Sequence, residues 1–218
     1  MPDLQETREV TIRIWARRSS SSAQKVYWTL DELAVEHEQI DAGRSFGIVD
    51  TPEYLGKNPN GLVPVLETSD GFVLWESNAI VRYLAASHGE GTFWPSDPRA
   101  RASSDRWMDW ADGTAKAAIN PIFSKLVMGW EAYTAAEIDV HIAKSDAVLR
   151  RFAAWIGGRR YVAGDTLTIG DIPIGMILNR WFQLPIERPA LPAVEAYYER
   201  LRERPAYVRN VVGAPAVI

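Results

Sequence analysis

The chain has no cysteine among its 218 residues. That excludes disulfides, thiolate metal sites and a cysteine nucleophile. Long apolar stretches are also missing. None approaches the ~20 residues that span a bilayer. The segment Met1 to Glu9 is polar and lacks the apolar centre of a signal peptide. Histidine is scarce: His37, His88 and His141 stand far apart, so no metal motif forms. The net charge of −4 is small and acidic, which disfavours a nucleic-acid or membrane-surface binder. These absences set the expectation of a cytoplasmic protein with no metal, no nucleic-acid partner and no membrane partner.

What is present is ordinary globular material, with 47% apolar and 24% charged residues. Its nine tryptophans are unusual and serve a core, with a few expected to line an aromatic cavity. Val10, Ile12 and Ile14 alternate with polar or aromatic neighbours, the period of a strand. After Arg17-Arg18-Ser19-Ser20-Ser21-Ser22 the period changes. Val26, Leu30 and Leu33 fall on one helical face from Ala23 onward. A short strand is expected over 36–40, a loop over 41–52 and a helical turn at Tyr54-Leu55. Two strands, Val63–Glu67 and Phe72–Trp75, flank an Asp70-Gly71 turn. A helix over 77–87 follows. The order is β-α-β-α-β-β-α, a thioredoxin-like pattern.

Beyond Gly89-Glu90-Gly91 and Pro95-Ser96-Asp97-Pro98, strand patterns stop. A helix over 102–118 has Ser103, Trp107, Trp110 and Thr114 on one stripe, and Asn120-Pro121 is expected to break or kink it. Residues 135–156 carry Ile138, Ile142, Leu149, Phe152 and Ile156 at helical spacing, with Gly157-Gly158 as the stop. Thr168-Ile169-Gly170-Asp171 reads as a capping box stapled by Leu167 and Ile172, and is assigned to folding. Pro173 just inside that helix is expected to bend it. Further helical pieces cover 193–201 and 205–211. The architecture is α/β plus all-α: a thioredoxin-like domain at 9–88, a linker at 89–98 and an all-helical domain at 99–218.

Two stretches carry the chemistry. Asn58-Pro59-Asn60-Gly61-Leu62-Val63-Pro64-Val65-Leu66 is a polar turn entering an apolar strand with a proline inside it. A proline there needs a special reason, such as a cis bond that turns the backbone outward. Glu76-Ser77-Asn78-Ala79-Ile80-Val81-Arg82-Tyr83-Leu84 opens a helix with an acid and a serine, a place suited to an anion. Read by residue type alone, the serines at 19–22 turn and cap a helix, Ser77 is an N-cap, Val63-Pro64 is a folding turn, and the aromatics are core.

In this order the motifs resemble the cytosolic glutathione transferases over nearly the whole chain. The nearest likeness is to bacterial serine-type members with an Arg-x-x-Ser-x-Asn turn before the first helix. Counting back from Lys25, the resemblance puts Ser20 at the family's serine and Ser22 at its asparagine. Ser22 is thus a departure and Ser20's competitor. The resemblance implies that glutathione is the co-substrate and that Ser20 donates to its sulfur, helped by the positive end of the first helix. It also implies that Val63, with Pro64 cis, pairs through its backbone with the cysteinyl unit. The γ-glutamyl end falls to Glu76 and Ser77, with Asn78 a weaker contact. Arg44 is the candidate for the glycyl carboxylate, and Arg17 either orients the turn or stays on the surface. Leu62 stands where the family often has a polar side chain. Trp107, Trp110, Phe123 and Trp181 are candidates for the electrophile wall. Asp105, Asp109 and Asp112 share one helix, from which one could reach a partner subunit's glutathione.

The function so implied is conjugation of glutathione to small, mostly apolar electrophiles by a homodimer. Two alternatives stay open at this point: glutathione-dependent peroxide or disulfide reduction at the same site, and a non-catalytic ligand-binding or interaction module.

Overall fold

A computed structural model describes residues 11–215. Val10 and the segment Met1–Glu9, both used in the sequence reading, lie outside those residues.

The first strand, β1 (Ile12–Trp15), leads through the serine turn into α1 (Ser21–Glu32) and returns as β2 (His37–Ile40) parallel to β1. A 3-10 turn (Arg44–Phe46) and the short α2 (Pro52–Lys57) precede the hairpin of β3 (Val65–Thr68) and β4 (Val73–Trp75). The sheet order is β2-β1-β3-β4, with β3 antiparallel to both β1 and β4. Helix α3 (Ser77–His88) closes this unit. Alternation decides which faces are buried: Ile12, Ile14 and Leu66 point to one side of the sheet and meet Val26 and Leu30 of α1 and Ile80 and Leu84 of α3. Helix α1 therefore lies along the sheet with its N-terminus at the end of β1. That places the serine turn where the strand stops, a position shaped to receive a ligand.

The rest is helical. It comprises α4 (Pro98–Trp110), α5 (Lys116–Leu126), α6 (Ala135–Ile156), α7 (Asp171–Gln183), α8 (Pro192–Arg202) and α9 (Pro205–Tyr207), the last running into a wide π turn at Val208–Val212. A mixed four-stranded sheet with helices, followed by helices alone, is the expected fold class. Helix α6 has the bounds its periodicity predicts, opened by a capping box of Thr134 and Glu137 and followed by Gly157. The two units share a core. Trp28 of α1 is fully buried against α7, with its ring 4.7 Å from that of Tyr207 and tilted to it. A methyl group at Gly175 would come within 2.7 Å of that indole, so only glycine lets α7 approach.

The structure gives a physical reason at four of these local features. Asn120-Pro121 does not break its helix: Pro121 is buried inside α5, and the interruption falls earlier, at the π turn Ala111–Ala115. Packing outweighs the ladder bond that a proline forfeits there. The buried stripe on α4 runs through Ser104, Trp107, Met108 and Ala111, whereas Ser103, Trp110 and Thr114 are half-buried beside it. Pro173 is the third residue of α7, where an N–H has no intrahelical acceptor, so no ladder bond is lost and the helix runs on to Gln183. The Thr168–Asp171 box forms by half. The Asp171 carboxylate accepts from the Thr168 N–H at 2.9 Å, but the Asp171 N–H bonds the Thr168 carbonyl instead of its hydroxyl. The same carboxylate also accepts from the Val162 N–H at 3.0 Å and the Tyr197 hydroxyl at 2.7 Å. Burial pushes its pKa up, and these donors pull it back.

Candidate active site

Ser20 is the N-cap of α1. Its hydroxyl oxygen accepts from the Ala23 N–H at 3.4 Å, a long bond, and its carbonyl accepts from Gln24 at 2.8 Å. The helix therefore begins two residues before Ala23. An accepting hydroxyl keeps its own hydrogen to donate, so capping and donation are compatible. The side chain is almost buried at the positive end of α1. Ser21 accepts from an Arg180 guanidinium N–H at 2.6 Å. Ser22 is the second helical residue and half-buried.

The Val63–Pro64 bond is cis. The loop before it is held by the Tyr54 hydroxyl and the Asn58 amide, which donate to the Leu62 carbonyl at 2.9 and 2.7 Å. The Leu62 side chain is exposed. Val63 itself stands outside the ladder of β3 and β4, and its backbone groups bond no described residue. Beyond the hairpin, Glu76 has φ = +71°, a left-handed conformation that a non-glycine residue adopts at a cost of about 1–3 kcal/mol. It holds the N-cap position of α3 without using its side chain there. Ser77 is therefore the first helical residue and not the cap, and its hydroxyl bonds no described residue.

Asn78 is committed elsewhere. Its amide donates to Asp112 at 2.8 Å and its carbonyl oxygen accepts from the Lys25 ammonium at 2.7 Å. Lys25 is 1% exposed, and burial pulls its pKa down to about 8 against the opposing pull of Asp112, whose carboxylate is 3.7 Å away. This bridge ties α1, α3 and the π turn together directly behind Glu76 and Ser77. Asp105 and Asp109 are engaged too, both holding Arg82, at 2.7 and 3.1 Å.

Arg17 is not a fully solvated surface side chain. It is half-buried, its Nε is sealed from water with no partner, and a Cβ on Gly43 would come within 2.8 Å of its guanidinium and 3.3 Å of Val63. Gly43, at φ = +82°, thus leaves the room through which Arg17 reaches towards Val63. Burial and the nearby Arg44 guanidinium lower its pKa. Arg44 is exposed in the 3-10 turn, close enough to Arg17 for their charges to interact.

The aromatic candidates separate. Trp107 and Trp110 pack with Phe152 at ring separations of 5.7 and 5.6 Å, and Trp107 is also 5.4 Å from Trp155. Trp181 is buried in the helical core. Phe123 alone of the four lines the cleft between α1, α5 and α7, together with Ser21, Gln24, Val127 and Arg180. Helical spacing put Trp107 and Trp110 on a common stripe but could not show what covers each ring. Among the described residues no group of three potential metal ligands occurs, and no helix is long and apolar enough to cross a membrane.

The model of the glutathione S-transferase N-terminal domain matches residues 19–87, and that of the C-terminal domain matches residues 112–205. Glutathione S-transferase GstB of Escherichia coli (strain K12) is 40% identical over 206 residues, covering 94% of this chain and 99% of that protein. The chain belongs to the glutathione S-transferase family. Among solved structures, the theta class glutathione S-transferase of the citrus canker pathogen Xanthomonas axonopodis pv. citri with glutathione bound is 42% identical, with a TM-score of 0.87 over 95% of this chain and 99% of that one. Its apo form is 38% identical with a TM-score of 0.80, over 95% and 98%.

Within this glutathione S-transferase, sequence reasoning missed Lys25, Tyr54, Asn58 and Arg180 as neighbours of the site. Lys25 served only as a landmark for counting. A lysine on the buried face of an amphipathic helix was a usable signal. Nothing local marks Arg180, because its partner Ser21 is 159 residues away.

Proposed function

We propose that the chain conjugates the thiolate of glutathione to small, mostly apolar electrophiles. The observation that carries this reading is Ser20: a nearly buried hydroxyl at a helix N-terminus whose hydrogen is free to donate. A thiol with a pKa of about 8.5 is only a few per cent thiolate at neutral pH. A hydrogen bond to the charged sulfur contributes about 1.5–3 kcal/mol, or about one to two pKa units. The thiol proton passes to solvent. The sulfur then attacks the electrophilic carbon, and the leaving group departs with its bonding pair. Ser20 is a donor throughout, neither nucleophile nor base.

The rest of the tripeptide has matching partners. The unpaired backbone of Val63 suits the cysteinyl unit as one more strand. Ser77 and the N-terminal N–H groups of α3 suit the γ-glutamyl carboxylate, with Glu76 answering its ammonium group. Arg44, joined by Arg17, suits the glycyl carboxylate. Asn78 supports this end through Lys25 and Asp112. Phe123 belongs to the electrophile wall. A homodimer is part of the same reading: the edge strand β4 and its turn expose Phe72 and Trp75 beside α3. Sedimentation at micromolar concentration is expected to show a dimer, and monomer alone would count against it.

The test is a glutathione titration followed by tryptophan fluorescence, then a conjugation assay with 1-chloro-2,4-dinitrobenzene. Saturable binding with catalysed thioether formation is expected. Binding without turnover would favour a non-catalytic module, and neither would reject the site.

A further inference from the structure

The cleft between the two units contains a half-buried cation that no described side chain neutralises. Arg180, in the last turn of α7, donates to the Asn120 side-chain carbonyl and to the Ser21 hydroxyl, and its guanidinium lies 4.7 Å over the Phe123 ring. All three partners are uncharged. No ion pair among the described residues includes Arg180. Burial alone pulls its pKa down to about 10.

A structural role does not account for this well. A basic residue near a helix C-terminus gains only modestly from the helix dipole. Holding an ion partly out of water without a counter-ion is costly. Two neutral acceptors and a ring face offset that only in part. Such a group is poised for an anion. Arg180 also borders an open cleft of about 220 Å³, whose other walls include Ser21, Phe123, Val127, Gln183 and Val211. One wall of the cleft is thus the residue next to Ser20, and the others mix the amides of Gln24, Asn179 and Gln183 with apolar side chains.

We propose that the second substrate of this transferase carries a carboxylate on an otherwise apolar body, and that Arg180 binds that carboxylate in the cleft. The inference rests on the thiol-conjugating reading and narrows its substrate class. The apolar body lies against Phe123 and Val127, and the anion holds the reacting carbon over the helix end where the sulfur sits. A suitable probe is 4-chloro-3-nitrobenzoate. The thiolate forms a C–S bond at the chlorine-bearing carbon while the nitroarene ring takes up the negative charge. The C–Cl bond then breaks, and chloride leaves with the electron pair. No oxidant, reductant or further reactant is needed.

The experiment compares this probe with its neutral amide, 4-chloro-3-nitrobenzamide. Each kcat/KM is divided by the uncatalysed rate constant with glutathione. A charge-assisted hydrogen bond corresponds to a preference of about ten- to one-hundred-fold for the carboxylate. Arg180→Gln should abolish that preference, and Arg180→Lys should keep part of it. Equal or lower enhancement for the carboxylate in the wild type overturns the inference. Because Arg180 also bridges Ser21 and Asn120, a second readout uses unaltered protein. Calorimetry on protein saturated with S-methylglutathione should show 3-nitrobenzoate binding at least about ten-fold tighter than 3-nitrobenzamide, and equal affinities overturn the inference. The two readings fail differently. Turnover of 1-chloro-2,4-dinitrobenzene without a carboxylate preference removes the Arg180 inference alone. Preferential nitrobenzoate binding without conjugation of any electrophile removes the transferase reading and leaves the anion site.

Discussion

Lys25→Met should remove a pH dependence of stability that wild-type protein carries between neutral and alkaline pH. In the folded protein the Lys25 ammonium is almost fully buried, and its pKa falls from 10.5 to about 8 through burial, with Asp112 opposing the fall. The unfolded chain then binds more protons at this residue than the folded one between about pH 8 and 10.5. Stability therefore rises with pH across that window, and the full penalty is present below it. At 1.36 kcal/mol per unit, the shift corresponds to about 3 kcal/mol, of which about 2.5 kcal/mol is recovered between pH 7 and pH 10. Methionine has similar reach and no charge. It leaves the Asn78 carbonyl oxygen without its 2.7 Å donor, a cost of about 1–3 kcal/mol that does not vary over this range. The two terms oppose each other at pH 7, so a single stability value there does not separate them. The assay is urea unfolding of both proteins from pH 7 to pH 10. Subtracting the variant removes every titration the two share, and the difference should grow by about 2.5 kcal/mol in favour of wild type. A difference that stays flat would show that the ammonium is not held in a desolvated site.

Ser77→Ala should weaken glutathione binding by about 1–3 kcal/mol while leaving stability within about 0.5 kcal/mol, because the hydroxyl bonds no described residue. Glu76→Ala should also weaken binding, and unchanged affinity in both variants, read by fluorescence titration, would reject the γ-glutamyl assignment. Asp171→Ala should cost more than about 3 kcal/mol, since it strands the buried donors of Val162, Thr168 and Tyr197. Thermal unfolding checks this, and a loss below about 1 kcal/mol would mean that water replaces the carboxylate.

Local signals made most of the fold legible before the structure. Helix α6 was readable because its apolar residues repeat with little ambiguity, and the β3-β4 hairpin because Asp70-Gly71 permits few alternatives. The proline inside an apolar strand pointed to the cis bond at Val63–Pro64 for a backbone reason, and that bond is present. What stayed hidden depends on tertiary partners. Pro121 is tolerated in α5 because its surroundings are packed, and sequence shows only the lost donor. The tryptophans at 107, 110 and 181 looked alike as cavity candidates, because sequence does not show what covers a ring. Arg17 is half-buried only because Gly43 yields space 26 positions along the chain. The Lys25–Asn78–Asp112 bridge joins three elements, none of which is incomplete in isolation.

The central claim is that Ser20 holds the glutathione sulfur as thiolate. The direct measurement is the pKa of the bound thiol, followed by thiolate ultraviolet absorbance across pH in wild type, Ser20→Ala and Ser22→Ala. Loss of one hydrogen bond to the charged sulfur should raise that pKa by about one to two units in Ser20→Ala, with glutathione affinity changing less. Turnover near neutral pH should fall about ten-fold or more and partly recover at higher pH. Ser22→Ala should leave the bound thiol where wild type has it. A shift confined to Ser22→Ala would move the donor by two residues, and an unshifted thiol in both variants would contradict serine activation itself.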